Sequence, residues 1–407
     1  MRLAFVVQRY GPEIAGGAEY HCRLVAEHLA RHAEVEVLTT CARDYITWAN
    51  AYPEGSQTIG GVTVRRFQVS RPRDERRFAT WSKRVVGDEH TQEDELRWLE
   101  EEGPCSPRLV RYLERHRDRY DAFIFFSYRY YTTYHGLRAV PEKALLVPTA
   151  EDDGVYRLRI FPPFFQLPRA IVYNSPEERA MIHRSSGNRQ VPGEVVGVGS
   201  ALPARLDPEG FRRRHRLEGH FALYLGRIDR NKGCPELFDY FRRYREETRS
   251  ELRLVLIGEA VLPVPQDPAL IALGFLGDDD KWDGLAAAEL LVMPSRYESL
   301  SMVTLEAWWA ERPVLANGRC EVLRGQCRRS NAGLYYASYD EFREALALLE
   351  AEPALRLALG RNGRRYYDTH YSWDVVEGKY LDLLARIRQA GPPSEPGAGE
   401  AVATSRE

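Results

Sequence analysis

The sequence predicts two doubly wound α/β domains with parallel sheets, facing each other across a cleft. Short runs of β-branched and other apolar residues are each followed by a turn and a longer amphipathic stretch, and a second series of the same kind begins after residue 200. The length of 407 residues points the same way, because single hydrophobic cores stop growing at roughly 250–300 residues.

In chain order, residues 3–7 form the first apolar run and lead into a glycine-containing loop. AEYHCRLVAEHLARH then places Leu24, Val25, His28 and Leu29 near helical spacing, and VEVLTT returns to a strand, completing a β-loop-α-β unit. Val62–Phe67, 122–126, 144–149 and 170–174 read as further strands. After the last, Ser175, Pro176 and Glu178 fit an N-cap, a first-turn proline and the third helical position, the pattern of a capping box. The second series follows the turn-rich ALPARLDPEG. It runs through a strand at 221–226, the helical PELFDYFRRYREE, a strand at 252–258, the segment ALIALGFLG, a helix over 283–289 and a strand at 290–294. A loop, a helix ending near Glu311 and a strand at 313–317 complete it. Residues 340–389 are mostly helical, and the tail 391–407, rich in Pro, Gly and small polar residues, is expected to be disordered.

Composition narrows the class. The apolar share is 44% and the charged share 29%, the range of a soluble globular enzyme. A net charge of −2 gives no global case for nucleic acid or an anionic membrane as partner. The run RRFQVSRPRDERRFATWSKR is locally basic; it reads as a solvated loop, or alternatively as a patch for an anionic or lipid-linked acceptor. The six cysteines form no CxxC pair and no zinc spacing, which favours idle thiols in a reducing cytoplasm. The apolar N-terminus is too short for a signal peptide and reads as a strand. With no apolar run near the roughly 20 residues needed to span a bilayer, membrane association would be peripheral, at the inner face.

Three motifs carry chemistry. GRIDRNKG follows a strand: Gly226 allows a sharp turn, and Arg227 and Lys232 flank a loop that opens a helix, a combination suited to a diphosphate. An ordinary charged surface loop is the alternative. RYESLSMVTLEAWWAERP contains Glu298 and Glu306. On one continuous helix eight residues would set them about 80° apart, so they share a site more readily with Glu298 in the loop and Glu306 in the early helix. The N–H groups near Ser299, Leu300 and Ser301 would then face the cleft as orphan donors, and a carboxylate suits a vicinal diol. GPEIAGGAEYH carries Gly16 and Gly17, which allow close backbone approach to a ligand; it is not the dinucleotide fingerprint.

In this order and spacing the motifs resemble the retaining GT-B glycosyltransferases of family GT4, from residue 1 to about 388. The most specific piece is E-x7-E (Glu298, Glu306). G-R-x4-K-G (Gly226, Arg227, Lys232, Gly233), the Gly16-Gly17 loop, the Phe275-Leu276-Gly277 turn and Pro294-Ser295 support it. The resemblance implies a GT-B fold of two Rossmann-like domains. An acceptor domain spans 1–200, a nucleotide-sugar donor domain spans 201–372, and a final helix over 373–388 crosses back onto the first. It implies that Arg227 and Lys232 grip the donor diphosphate, that Glu306 holds the ribose and that Glu298 sits at the transferred sugar beside Ser299, Leu300 and Ser301. Phe275 and Leu276 would border the base. The implied reaction moves a hexose from a nucleotide-diphosphate sugar to a hydroxyl of a saccharide, lipid-linked or small-molecule acceptor with retention, in polysaccharide, glycolipid or glycosylated-metabolite synthesis. No cofactor, metal or nucleic acid is expected, and the acidic triplet Asp278-Asp279-Asp280 reads as a loop.

The chain also departs from the family. Ser301 stands where many relatives carry Gly. Ser127 and Tyr128 stand where a donor-side histidine is common, and Glu151, Asp152 and Asp153 replace a His-Asp pair. Ser127, Tyr128 and Asp152 are the acceptor-side candidates. The departures keep two alternatives open: a GT-B-like protein that binds a nucleotide sugar without catalysis, and another GT-B enzyme such as a sugar-nucleotide epimerase.

Overall fold

A computed structural model describes residues 1–14 and 16–390; the tail expected to be disordered lies outside the described residues. Among these, the strands build two sheets. The first contains β1 (Arg2–Val6), β2 (Glu34–Thr40), β3 (Gly55–Ile59), β4 (Val62–Phe67), β5 (Ala122–Phe126), β6 (Ala144–Val147), β7 (Ala170–Tyr173) and β8 (Gly193–Val195). Its order is β3-β4-β2-β1-β5-β6-β7-β8, parallel except for the β3–β4 hairpin. The second contains β9 (Phe221–Leu225), β10 (Arg253–Ile257), β11 (Leu270–Gly274), β12 (Leu290–Met293), β13 (Val314–Asn317) and β14 (Gly333–Tyr336). It is parallel in the order β11-β10-β9-β12-β13-β14. Helices cover both faces, so strands such as AFIFF of β5 and FALYL of β9 are buried at every position. That is why they read as unbroken apolar runs rather than alternating ones.

Strand order reverses between β1 and β5 in the first sheet and between β9 and β12 in the second. In open parallel sheets such reversals leave a crevice at the carboxyl ends of the strands, where ligands bind. The loops after β1, β5, β9 and β12 border these crevices, and those after β6 and β7 follow beside the first.

Several elements differ from the sequence expectation. β3 and β8 carry little apolar signal, and β14 (GLYY) is only four residues long. The acidic triplet is no loop: the helix Asp278–Ala287 begins on it, because carboxylates in a first turn are favoured by the exposed N–H groups there. Ser175 does cap its helix, accepting the Glu178 N–H at 3.1 Å, but the Glu178 carboxylate reaches past Ser175 to the N–H groups of Asn174 and Ala150. The capping box is thus only half formed.

The basic run is neither a free loop nor an open patch. Its second half forms the helix Glu75–Gly87, which packs on the acidic helix Gln92–Glu102. Arg71 and Arg77 donate to Glu101, Arg84 to Asp94, and Arg73, almost fully buried, to Glu102 at 2.7 Å. Arg65 pairs with Glu36, and Arg66 donates to the Tyr10 carbonyl. Charges that looked unmatched in one segment are matched by the next. No helix among the described residues is long and apolar enough to cross a membrane.

The last helix, Trp373–Gln389, leaves the second half of the chain and packs on the helix Gly17–Leu29 and on β8. Val376, Tyr380, Leu383 and Leu384 enter the same apolar cluster as Leu3, Phe5 and Val25. Its Glu377 carboxylate meets His28 Nδ1 and His32 Nε2, each at 2.6 Å, while Trp373 stacks on His28.

His21, on the helix Gly17–Leu29, is fully enclosed and edge-on to Phe126. Burial disfavours its imidazolium and pulls its pKa down to about 3, a bond with the Gly197 backbone opposing weakly. The unfolded chain therefore takes up this proton first, from about pH 6.5 downward. The stability His21 contributes is full above that pH and is lost as pH falls toward 3, by up to about 1.4 kcal/mol per unit. Urea melts at pH 7.5 and 5 should show wild type losing about 2 kcal/mol more than His21→Gln; equal losses would contradict this.

Candidate active site

The loop after β9 is shaped by Asp229. Its Oδ1 accepts the Lys232 N–H at 2.8 Å and its Oδ2 accepts from Arg227 Nε. Gly226, which opens the loop, donates its N–H to the Ile257 carbonyl of β10. Gly233, which ends it, has φ +77, and a Cβ there would stand 2.3 Å from the Pro294 carbonyl oxygen. Only glycine lets the loop lie against the chain leaving β12. That contact brings Lys232 to Glu298: Nζ donates to Oε1 at 2.8 Å. The Lys232 ammonium is one-third exposed and Glu298 nearly buried. Burial alone would lower the lysine pKa, but the charges of Glu298 and Glu151 outweigh it and raise the value.

Glu298 lies in a loop and Glu306 in the helix Met302–Trp309 that follows it. Glu306, 2% exposed, accepts from Lys281 Nζ at 2.9 Å. Lys281 comes from the helix Asp278–Ala287, and Glu306 holds its ammonium charged against burial. Tyr20 of the N-terminal half stands close enough for both charges to act on it. Glu298 and Glu306 are thus each paired with a lysine, from a different element in each case. The N–H groups of Ser299, Leu300 and Ser301 meet no protein acceptor among the described residues. Ser301 has φ 64, in the left-handed region, and its Oγ lies 2.9 Å from Thr304 Oγ1. The departure from glycine therefore falls on a strained residue, at a cost of roughly 1 kcal/mol. Phe275 is 73% exposed, whereas Leu276 packs partly on the core.

The N-terminal half supplies the opposite wall. Tyr45 reaches across: its hydroxyl accepts from Arg227 Nη1 at 3.0 Å. Gly16 is needed for a neighbour, because a Cβ there would lie 2.2 Å from Glu19 Oε2, and Glu19 is paired with buried Arg9. Gly17 faces open space.

The acceptor-side candidates are not presented as the sequence suggested. Tyr128 is buried in the N-terminal core, edge-on to Phe161 at 4.7 Å. Ser127 is buried with its Oγ 2.8 Å from that of Thr149. Asp152 points to solvent and pairs with Arg157. The neighbouring Glu151 is the one that faces Glu298 and Lys232. Burial and the Glu298 charge push its carboxyl pKa up, while Lys232 pulls it down. Asp229, Lys281 and Tyr45 are the site members that sequence reasoning passed over, and Glu151 was named beside Asp152 but not chosen. Asp229 lay inside GRIDRNKG and Lys281 next to a triplet read as loop. Only three-dimensional proximity singles out Tyr45 and Glu151. Among the described residues no group of three or more His, Cys, Asp or Glu side chains could hold a metal.

Residues 209–366 match the family described as glycosyl transferases group 1. Alpha-maltose-1-phosphate synthase of Mycobacterium tuberculosis is 29% identical over 188 residues, covering 41% of this chain and 48% of that protein. The chain thus spans about half the length of that relative. Among solved structures, sucrose-phosphate synthase from Thermosynechococcus elongatus superposes with a TM-score of 0.71 at 17% identity, covering 96% of this chain and all of that one. HepE of Anabaena in complex with UDP-glucose superposes with a TM-score of 0.68 at 14% identity, covering 95% of this chain and 100% of that one. At such identities the superpositions speak for the fold, which is GT-B.

The Lys281–Glu306 pair makes a prediction independent of any ligand. Lys281→Met should leave Glu306 buried without a counter-charge and cost about 3 kcal/mol or more in denaturant unfolding. Adding Glu306→Gln should recover a large part of the loss. A single variant as stable as wild type would rule the pairing out.

Proposed function

We propose that this chain, which belongs to the group 1 glycosyltransferases and has the GT-B fold, moves a hexose from a nucleotide-diphosphate sugar to an acceptor hydroxyl with retention of configuration. The observation that carries the reading is the arrangement at β9 and β12. Arg227 and Lys232 lie on one loop, Glu298 is bonded to Lys232 at 2.8 Å, and Glu306 is one helical turn into the next element. Two cations beside orphan helix N–H groups suit a diphosphate, and the two carboxylates suit sugar diols. That a fold neighbour holds UDP-glucose supports a sugar nucleotide as the donor class.

In this reading Arg227 and Lys232 exchange their present partners, Asp229, Tyr45 and Glu298, for phosphate oxygens. Arg227 offers a planar fork and Lys232 a point charge. Glu306 exchanges Lys281 for the ribose diol. The bond from the anomeric carbon to the phosphate oxygen breaks on the face where the acceptor oxygen attacks. The acceptor proton passes to the departing phosphate, whose growing negative charge Arg227, Lys232 and the N–H groups of Ser299, Leu300 and Ser301 stabilise. No step calls on a metal ion, and full turnover in EDTA is the expected outcome. Polysaccharide, glycolipid or glycosylated-metabolite synthesis is the setting that suits such an enzyme.

The test is donor turnover with UDP-, GDP-, ADP- and dTDP-sugars. Lys232→Ala is expected to lower kcat/KM by about 100-fold or more, the scale of losing one preorganised donor to a developing charge. Glu306→Ala should mainly weaken donor binding. Near-wild-type rates in both variants would sink the reading, whereas donor binding without transfer or hydrolysis would favour a non-catalytic sugar-nucleotide-binding protein.

A further inference from the structure

We infer that Tyr45 is a third ligand of the donor diphosphate: its hydroxyl, contributed by the opposite half of the molecule, donates to a phosphate oxygen held by Arg227. This rests on the donor-transfer reading above and deepens it.

Tyr45 lies in the loop between β2 and β3, and its contact with Arg227 crosses the cleft at 3.0 Å. In that bond the phenol oxygen only accepts. Among the described residues its own O–H meets no acceptor, and the side chain is 44% exposed. A phenol both accepts and donates, so its proton is available to a ligand. Asp229 holds Arg227 at Nε, which leaves the far edge of the guanidinium, where Tyr45 now sits, to phosphate. A phosphate oxygen that takes up Nη1 comes to rest beside the phenol it relieves, within hydrogen-bond reach of it. By rotating its O–H, the tyrosine then turns from acceptor to donor.

The loop is built to hold this hydroxyl still. Asp44 Oδ1 accepts the N–H groups of Ile46 and Thr47 at 2.9 and 2.6 Å. Arg73 donates to the Tyr45 carbonyl and Arg9 to the Arg43 carbonyl, at 2.9 and 3.0 Å. The Arg9 guanidinium also lies 5.4 Å from the centre of the Tyr45 ring. Three residues on, Trp48 is buried at φ 56, a left-handed conformation that strains a bulky side chain, and its Nε1 donates to the Glu102 carbonyl at 2.6 Å. Ordering and straining a loop in this way costs free energy. One hydrogen bond between two partly exposed groups returns little of it, so the contact with Arg227 does not by itself account for the construction. A ligand does. Arg227 and Lys232 both belong to the half that carries β9. Tyr45 adds a donor from the other half, so the departing phosphate is met from both walls of the cleft by groups already in position.

Tyr45→Phe removes the hydroxyl and keeps the ring, and the sign of its effect decides the matter without knowledge of sugar or acceptor. Wild type and variant are titrated calorimetrically with bare UDP, GDP, ADP and dTDP, and the ligand-free proteins are melted in parallel. For the nucleotide the protein accepts, the variant is expected to bind about 10-fold more weakly, the scale of one hydrogen bond to a charged group, at an unchanged melting midpoint. A hydroxyl that merely caps Arg227 in the empty site would give the opposite result, because its loss frees the guanidinium. Equal or tighter binding by Tyr45→Phe would therefore overturn the inference and leave the donor reading standing. Weaker binding that comes with a lower midpoint would overturn it too, by giving the hydroxyl a structural role. Failure of every bare diphosphate to bind wild type would bring down the donor reading and this inference with it.

Discussion

The cleft of this protein encloses carboxylates where water is scarce, and the contact between Lys232 and Glu298 is what makes that tenable. A carboxylate as enclosed as Glu298 would, without a counter-charge, destabilise the fold. The two residues are 66 positions apart, yet the reversal of strand order sets β9 directly beside β12, so the loops leaving them touch. The approach is then fixed by Gly233 under the Pro294 carbonyl and by Asp229, which binds the Lys232 N–H and the Arg227 guanidinium at once. Topology brings the charges near each other, and a glycine and an aspartate set the last ångström.

The same logic runs through the N-terminal half in a longer chain of contacts. The acidic helix Gln92–Glu102 holds Arg73 through Glu102. Arg73 Nη1 in turn donates to the Tyr45 carbonyl at 2.9 Å, while Arg9 donates to the Arg43 carbonyl at 3.0 Å. These two arginines pin the loop that presents the Tyr45 hydroxyl to Arg227. One arginine of a run that reads as a surface feature, Arg73, is therefore internal scaffolding for one aromatic at the cleft. It works because planar guanidinium groups donate in several directions and can stack on rings, as Arg73 does over Trp48 and Phe78.

What could be read in the sequence was whatever depends on local pattern. The apolar runs marked most strands of both sheets, and helical phase favoured Glu298 in the loop before the helix that carries Glu306 if the two were to share a site. Three kinds of feature were hidden. β3 and β14 are edge strands, and β3 (GSQTI) is exposed with little apolar signal while β14 is only four residues long. Lys281 was masked by its acidic neighbours, whose charges suit a helix start as well as a loop. Among Glu151, Asp152 and Asp153 composition could not choose, because the direction of each side chain is set by the turn after β6, which the remote Glu178 holds. Tyr128 shows the converse error: a polar-tipped aromatic following a strand was read as a contact residue, but the N-terminal domain had enough aromatic neighbours to absorb its ring.

The two halves are joined mainly away from the cleft. Across the cleft itself the polar contacts are single and adjustable, such as Tyr45 with Arg227 and Asn174 with Ser299. Outside it the contacts are paired or apolar. Arg329 binds Glu177 through two nitrogens, Trp373 Nε1 donates to the Ser200 carbonyl at 2.9 Å, and the last helix buries Tyr380 and Leu383 in the N-terminal core. Buried apolar area and bidentate pairs resist separation far better than one half-exposed hydrogen bond. The relative placement of the sheets is thus held by the crossing helix, and the charged side chains of the cleft bear little of that load. Lys232 with Glu298 and Lys281 with Glu306 can change partners without loosening the molecule.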